Sequence, residues 1–216
     1  ETLSLEFRHF DFEPYSVLIL LGVAINAAIV PFHAWLPDAY PKATTTGAIF
    51  LGALTTKTAV YVLARGFHEW EILILAGVIM AVYGLAYALV QNDIRRILAY
   101  DIVSQVGFMV AAIGIGGHSG INAAAAHAFA HVLYNALLFM SVGSLIFVAG
   151  RSSLIGLLGF GRSIPLIMIL YMIGAFSVSA FPGFGAFGSK YLILHAAEEQ
   201  HLNWVVLLLY LTSVGT

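Results

Sequence analysis

Six polar residues stand where apolar helices would bury them, and their types suit the movement of protons. Lys57 lies near the midpoint of ATTTGAIFLGALTTKTAVYVLA (43–64), a run of 22 residues with no other charge. An ammonium at that depth costs about 3 kcal/mol on insertion scales, and such lysines face a polar cavity or a partner. Thr55, Thr56 and Thr58 flank it with hydroxyls that can hold water. His127, His131 and Asn135 recur every four residues and form one helical stripe. Imidazole titrates near neutrality, so two a turn apart could relay a proton through water. Lys190 follows a glycine-rich break, and Asn26 stands just before a proline break. Two broken helices with a polar residue beside each break fit a transport pathway lined by unwound backbone.

Other readings of these residues stay open. The histidine and asparagine stripe can serve as interhelical hydrogen-bond glue, worth about 0.6–2 kcal/mol per bond. A histidine pair can also hold haem or a metal, but no carboxylate or further histidine shares the stripe. Asp101, near the start of its helix, reads as a helix-end charge at the interface. His33 and His68 read as loop histidines. GFGAFG (183–188) follows a proline in an apolar run rather than a strand, which makes it a poor nucleotide loop.

The elements that must position these groups are transmembrane helices. The chain is 61% hydrophobic and only 9% charged, against about 25% charged in soluble domains. Several apolar runs reach the length of a helical span, the signature of an all-α polytopic bundle rather than a barrel. A formal charge of −2 gives no footprint for nucleic acid, and the lack of cysteine removes disulfides and thiolate-held clusters. Residues 1–14 read as a loop or interfacial arm, and 15–216 as about seven helices. These are expected at 15–30, 43–64, 71–90, 97–115 and 122–148, then from 164 to 197 with an interruption at 179–190, and from 204 onward. GGHSG (116–120) reads as a tight loop and 150–163 as an amphipathic surface connector. Both ends of the chain look cut, so a piece of a longer protein is expected. Lys42, Arg95, Arg96, Arg151 and Arg162 fall on one side and Arg8 and Arg65 on the other, which makes the first side cytoplasmic.

Four stretches carry a more specific resemblance: VPFHAWLPDAYPKATTTGAIFLGALTTKTAVYVLARGF (30–67), QNDIRRILAYDIVSQVGFM (91–109), HAFAHVLYNALLFMSVGSLI (127–146) and SAFPGFGAFGSK (179–190). Together they resemble the proton-conducting membrane transporter family, which includes the antiporter-like subunits of respiratory complex I, related hydrogenase subunits and Mrp-type cation/proton antiporter subunits. The wording is most similar to the D-type subunits of the Mrp antiporters. The resemblance implies roughly the C-terminal half of a fourteen-helix subunit with inverted repeats and a central hydrated axis. A helix with a key glutamate would lie outside this chain.

The resemblance also implies roles. Lys57 matches the lysine, a histidine in some members, on the helix after the PFHxWLPDA loop. His127 and His131 match the polar face of the central connecting helix, and Lys190 matches the lysine or glutamate of the second broken helix. Asn26 and Asn135 depart from the pattern, since both stand where a lysine is usual and neither can hold a proton. The implied protein is a multi-pass subunit of the cell (inner) membrane, within a hetero-oligomeric complex. It moves protons, coupled to Na+ or another monovalent cation, without a cofactor. A proton-pumping subunit of a complex I-like oxidoreductase or hydrogenase, a translocase subunit without its own redox site, is the alternative. A non-conducting structural subunit is the third reading.

Overall fold

The structure, a computed structural model, describes residues 10–157, 159, 161 and 163–216. Most of the expected amino-terminal arm, with Arg8, lies outside the described residues, as does Arg162. The described chain is helical: α1 (Pro14–Asn26), α2 (Trp35–Ala39), α3 (Thr45–Phe50), α4 (Thr56–Gly66), α5 (Glu71–Val90), α6 (Ile94–Ile115), α7 (Gly117–Ala149), α8 (Leu154–Leu157), α9 (Pro165–Val178), α10 (Gly185–Glu199) and α11 (Asn203–Gly215). A single π-helical turn, Leu51–Thr55, joins α3 to α4, so Thr45–Gly66 forms one span. That span, α5, α6 and α7 are each long and apolar enough to cross a membrane.

Both breaks are built alike. After α1, Ala28 turns left-handed with φ 57°, while the amides of Ala28 and Ile29 bond back to the carbonyls of Ile25 and Ala24. After α9, Ala180 takes φ 54°, and the amides of Ala180 and Phe181 bond back to Ser177 and Phe176. This is the Schellman ending, which usually uses glycine. Pro31 and Pro182 follow and cannot continue a helix. The first helix therefore stops at Asn26 rather than Val30, because the proline acts through the whole turn before it. The second break is shorter than the sequence suggests: α10 is already helical at Gly185, so Lys190 sits inside a helix.

The core centres on α6, whose residues 102–116 are all buried. A helix apolar on every side belongs inside a bundle. Glycines let α5 lie backbone to backbone on it: a methyl on Gly77 would meet Ala111 N at 2.3 Å, and one on Gly107 would meet Ala81 N at 2.5 Å. Asp93 caps α6, its Oδ1 accepting from the amides of Arg95 (2.9 Å) and Arg96 (3.3 Å). Arg95 donates to the carbonyls of Pro41 and Ala43, and Asp93 bridges to Ser153. Lys42, Arg95, Arg96 and Arg151 thus share one end of the bundle, as their sequence assignment requires. The expected GGHSG loop is instead a two-residue turn: Gly116 and Gly117 take φ 71° and 61°, and α7 begins at Gly117.

Candidate functional site

The π turn shapes the surroundings of Lys57. Widening the helix exposes two carbonyls to side-chain donors: Tyr40 Oη donates to Leu51 O at 2.9 Å and Lys57 Nζ donates to Gly52 O at 2.6 Å. Thr56 Oγ1 lies 3.3 Å from the same ammonium, while Thr58 bonds the carbonyl of Thr55. Such π turns recur at functional positions. The amide of Asn135 lies directly over Gly52, since a methyl there would approach Asn135 Nδ2 to 2.8 Å. One face of α7 thereby reaches the Lys57 site.

Along that face Asn135, His131 and His127 are all buried. The rings of His127 and His131 lie 6.4 Å apart, a separation suited to a bridging water. His127 Nδ1 is paired with Ser189 Oγ at 2.9 Å, which is interhelical glue between α7 and α10. The remaining atoms are not used that way. Nε2 of His127, both ring nitrogens of His131 and both amide atoms of Asn135 are buried with no protein partner among the described residues. Leaving such an atom unpaired costs about 1–3 kcal/mol, so the row suits groups that bind water.

Lys190 closes the row. Its Nζ donates to Val178 O at 2.9 Å and to Thr216 Oγ1 at 3.2 Å, and lies 4.9 Å from the centre of the Phe108 ring. Val178 is the last residue of α9, so the ammonium meets an orphan carbonyl at the partly negative end of the helix. At the first break that duty falls to a neutral donor, Trp35 Nε1, which reaches Ile25 O at 2.8 Å. Five of the six expected residues (Lys57, Asn135, His131, His127 and Lys190) therefore lie along one row. Asn26 does not join them; it ends α1 on an exposed face of the described chain.

Asp101 departs from its expected place. α6 starts at Ile94, so Asp101 lies two turns inside it and interacts electrostatically with both Lys57 and Lys190. Gln105 Nε2 donates to its Oδ1 at 3.2 Å, and Tyr134 Oη donates to Gln105 Oε1 at 3.3 Å. Tyr134 in turn packs on His131, with ring centres 5.1 Å apart. The available signal was the Asp101/Gln105 pair, two polar residues four apart in an otherwise apolar helix. Ser189, one residue before Lys190, was likewise missed.

Comparison with known proteins matches residues 8–216 to the family described as "NADH:quinone oxidoreductase/Mrp antiporter, TM". NADH-quinone oxidoreductase subunit L of Escherichia coli is 33% identical over 204 residues, covering 89% of this chain and 33% of that protein. A Na(+)/H(+) antiporter subunit of Bacillus subtilis is 33% identical over 200 residues, covering 84% of this chain and 25% of that protein. A chain of an archaeal membrane-bound sulfane sulfur reductase superposes with TM-score 0.87 at 29% identity, over 92% of this chain and 43% of that one. A chain of the Mrp complex from Dietzia sp. DQ12-45-1b superposes with TM-score 0.84 at 26% identity, over 93% and 39% respectively. The chain spans about a third of the length of the curated relatives it matches.

Proposed function

Since this chain belongs to the NADH:quinone oxidoreductase/Mrp antiporter transmembrane family, we propose that it moves protons through the row Lys57, Asn135, His131, His127 and Lys190. The transport is coupled to Na+ or another monovalent cation. The observation that carries the reading is the set of buried nitrogen and oxygen atoms without protein partners between two intramembrane ammoniums. Lysine and histidine gain and lose protons, while Asn135 and Ser189 orient water without holding charge. No cofactor is needed, because each step is a protonation biased by a neighbouring charge. The protein works in the cell (inner) membrane as one subunit of a hetero-oligomeric complex.

His131→Leu is the cleanest test, since neither ring nitrogen has a protein partner to lose. In proteoliposomes containing the intact protein and its complex, proton flux should fall while thermal stability is kept. Unchanged flux would reduce the row to packing and favour a structural subunit. The asparagines bear on the same question. Asn26 and Asn135 supply no proton-holding group, so conduction is weak, and the Asn26→Lys, Asn135→Lys double variant should raise it. Equal vigorous flux in both proteins would refute that part.

A second reading rests on the likeness to subunit L proteins and to the sulfane sulfur reductase complex. Here the same row pumps protons driven by redox chemistry in other subunits. Co-purification separates the two: small antiporter subunits support antiport, and iron–sulfur or flavin proteins support the redox-driven pump.

A further inference from the structure

The proposed row leaves one buried ionisable group unused. Asp101 is the only acidic residue among the described residues that lies inside a membrane-crossing helix away from its ends. Asp11, Glu13, Asp38, Glu69, Glu71, Asp93, Glu198 and Glu199 all occupy loops, short turns or helix termini. One carboxylate oxygen is held by Gln105; the other, Oδ2, is buried with no protein partner.

We infer that Asp101 is the shared counter-charge of Lys57 and Lys190, so that proton loss at either lysine favours proton uptake at the other. The inference rests on the proposed proton row and adds to it a group on a different helix. Within the bundle the charges number two ammoniums and one carboxylate, since Asn135 is neutral and His127 and His131 are charged only on protonation. A single carboxylate balances a single ammonium, and an unbalanced charge away from water is costly. Weak screening inside the bundle lets the carboxylate act on both lysines at once, and both interact with it electrostatically. The Gln105–Tyr134 hydrogen bonds fix one carboxylate oxygen and connect it to the face of His131. The other titratable groups facing Asp101 are Tyr134 from α7 and Tyr171 from α9. A proton leaving Lys57 through the histidines thus removes the competitor for Asp101 and leaves the carboxylate to the arriving ammonium at Lys190. No covalent chemistry is involved, only transfer of a proton between nitrogen atoms and water.

The test uses the intact protein in proteoliposomes. Asp101→Asn should lower proton flux by about a hundred-fold or more, the scale typical of removing a proton-handling group. Asp101→Glu, which keeps the charge, should retain most of the flux. A thermal-unfolding cycle gives a second readout that does not depend on transport. Asp101→Asn should lower the midpoint in the native background and leave it unchanged or raised in a Lys57→Met, Lys190→Met background, where no ammonium needs balancing. Normal flux in Asp101→Asn alongside an inactive His131→Leu overturns the counter-charge and leaves the proton row standing. Equal destabilisation in both backgrounds also overturns it, whereas full flux in His131→Leu removes the row and the inference together.

Discussion

Replacing Gly52 by alanine is the smallest change that reaches the middle of the polar row. The added methyl would lie 2.8 Å from Asn135 Nδ2 and 3.4 Å from both Ile102 Cδ1 and Phe139 Cε2. The two carbon contacts are ordinary ones. The amide must retreat from 2.8 to 3.4 Å, about 0.6 Å, and it sits at the end of a flexible side chain. Helix propensity favours alanine by about 1 kcal/mol, which offsets the shift, so overall stability should change by less than about 1 kcal/mol. The row fares differently. The methyl fills space beside an unpartnered amide next to the carbonyl that holds Lys57. Depriving that amide of water costs about 1–3 kcal/mol, equivalent to about a 5- to 150-fold slower step. Proton flux measured with a pH-sensitive dye in proteoliposomes, beside thermal unfolding of the same preparation, reads both quantities. An intact Gly52→Ala protein with native flux would refute the claim that the gap between Lys57 and His131 is part of the path.

Two further predictions concern the frame. Gly77→Ala meets backbone at 2.3 Å with nothing flexible to yield, so α5 must move off α6. Overpacking of this kind costs about 1–3 kcal/mol, and the unfolding midpoint should fall, in contrast to Gly52→Ala; an unchanged midpoint would contradict the backbone contact. Asp93→Ala removes the α6 cap and the bond from Ser152. Caps are worth about 0.5–2 kcal/mol, and hydrogen exchange at Arg95 and Arg96 should quicken first, with uniform exchange along α6 counting against the cap.

The legible parts of the sequence were those with a single dominant cause. Glu71–Val90 was readable to the residue because a long apolar run lies between a charged turn and a capped start. The stripe of His127, His131 and Asn135 was readable because spacing by four admits only one helical face. Glycine misled in two places. Gly120 looked like part of a loop, yet it lies within α7 because a methyl there would meet Ala112 O at 2.5 Å. Gly185 and Gly188 looked like part of the second break and are helical. In both cases composition cannot distinguish a glycine needed for close packing from one needed for a turn. The depth of Asp101 followed from the start of α6, which Asp93 sets three residues before the apolar run suggests. The π turn left no sequence signal, since Leu51–Thr55 is as helix-compatible as its neighbours. Its evidence lies in the carbonyls that Tyr40 and Lys57 occupy.

Those carbonyls explain how a polar row can run through an apolar bundle at all. Inside a membrane each backbone group needs a partner within the protein, and helix breaks and a π turn are where partners run short. Here the shortage is met by side chains: Trp35 at the end of α1, Lys190 at the end of α9, and Tyr40 and Lys57 at the π turn. Each lysine therefore holds backbone in place as well as carrying charge. It follows that loss of transport in a Lys57→Ala variant is ambiguous, because Gly52 loses a bond along with the row losing a charge. His131 has no such second duty. A protein that keeps its stability and loses its flux when His131 becomes leucine separates conduction from scaffolding in a way that neither lysine can.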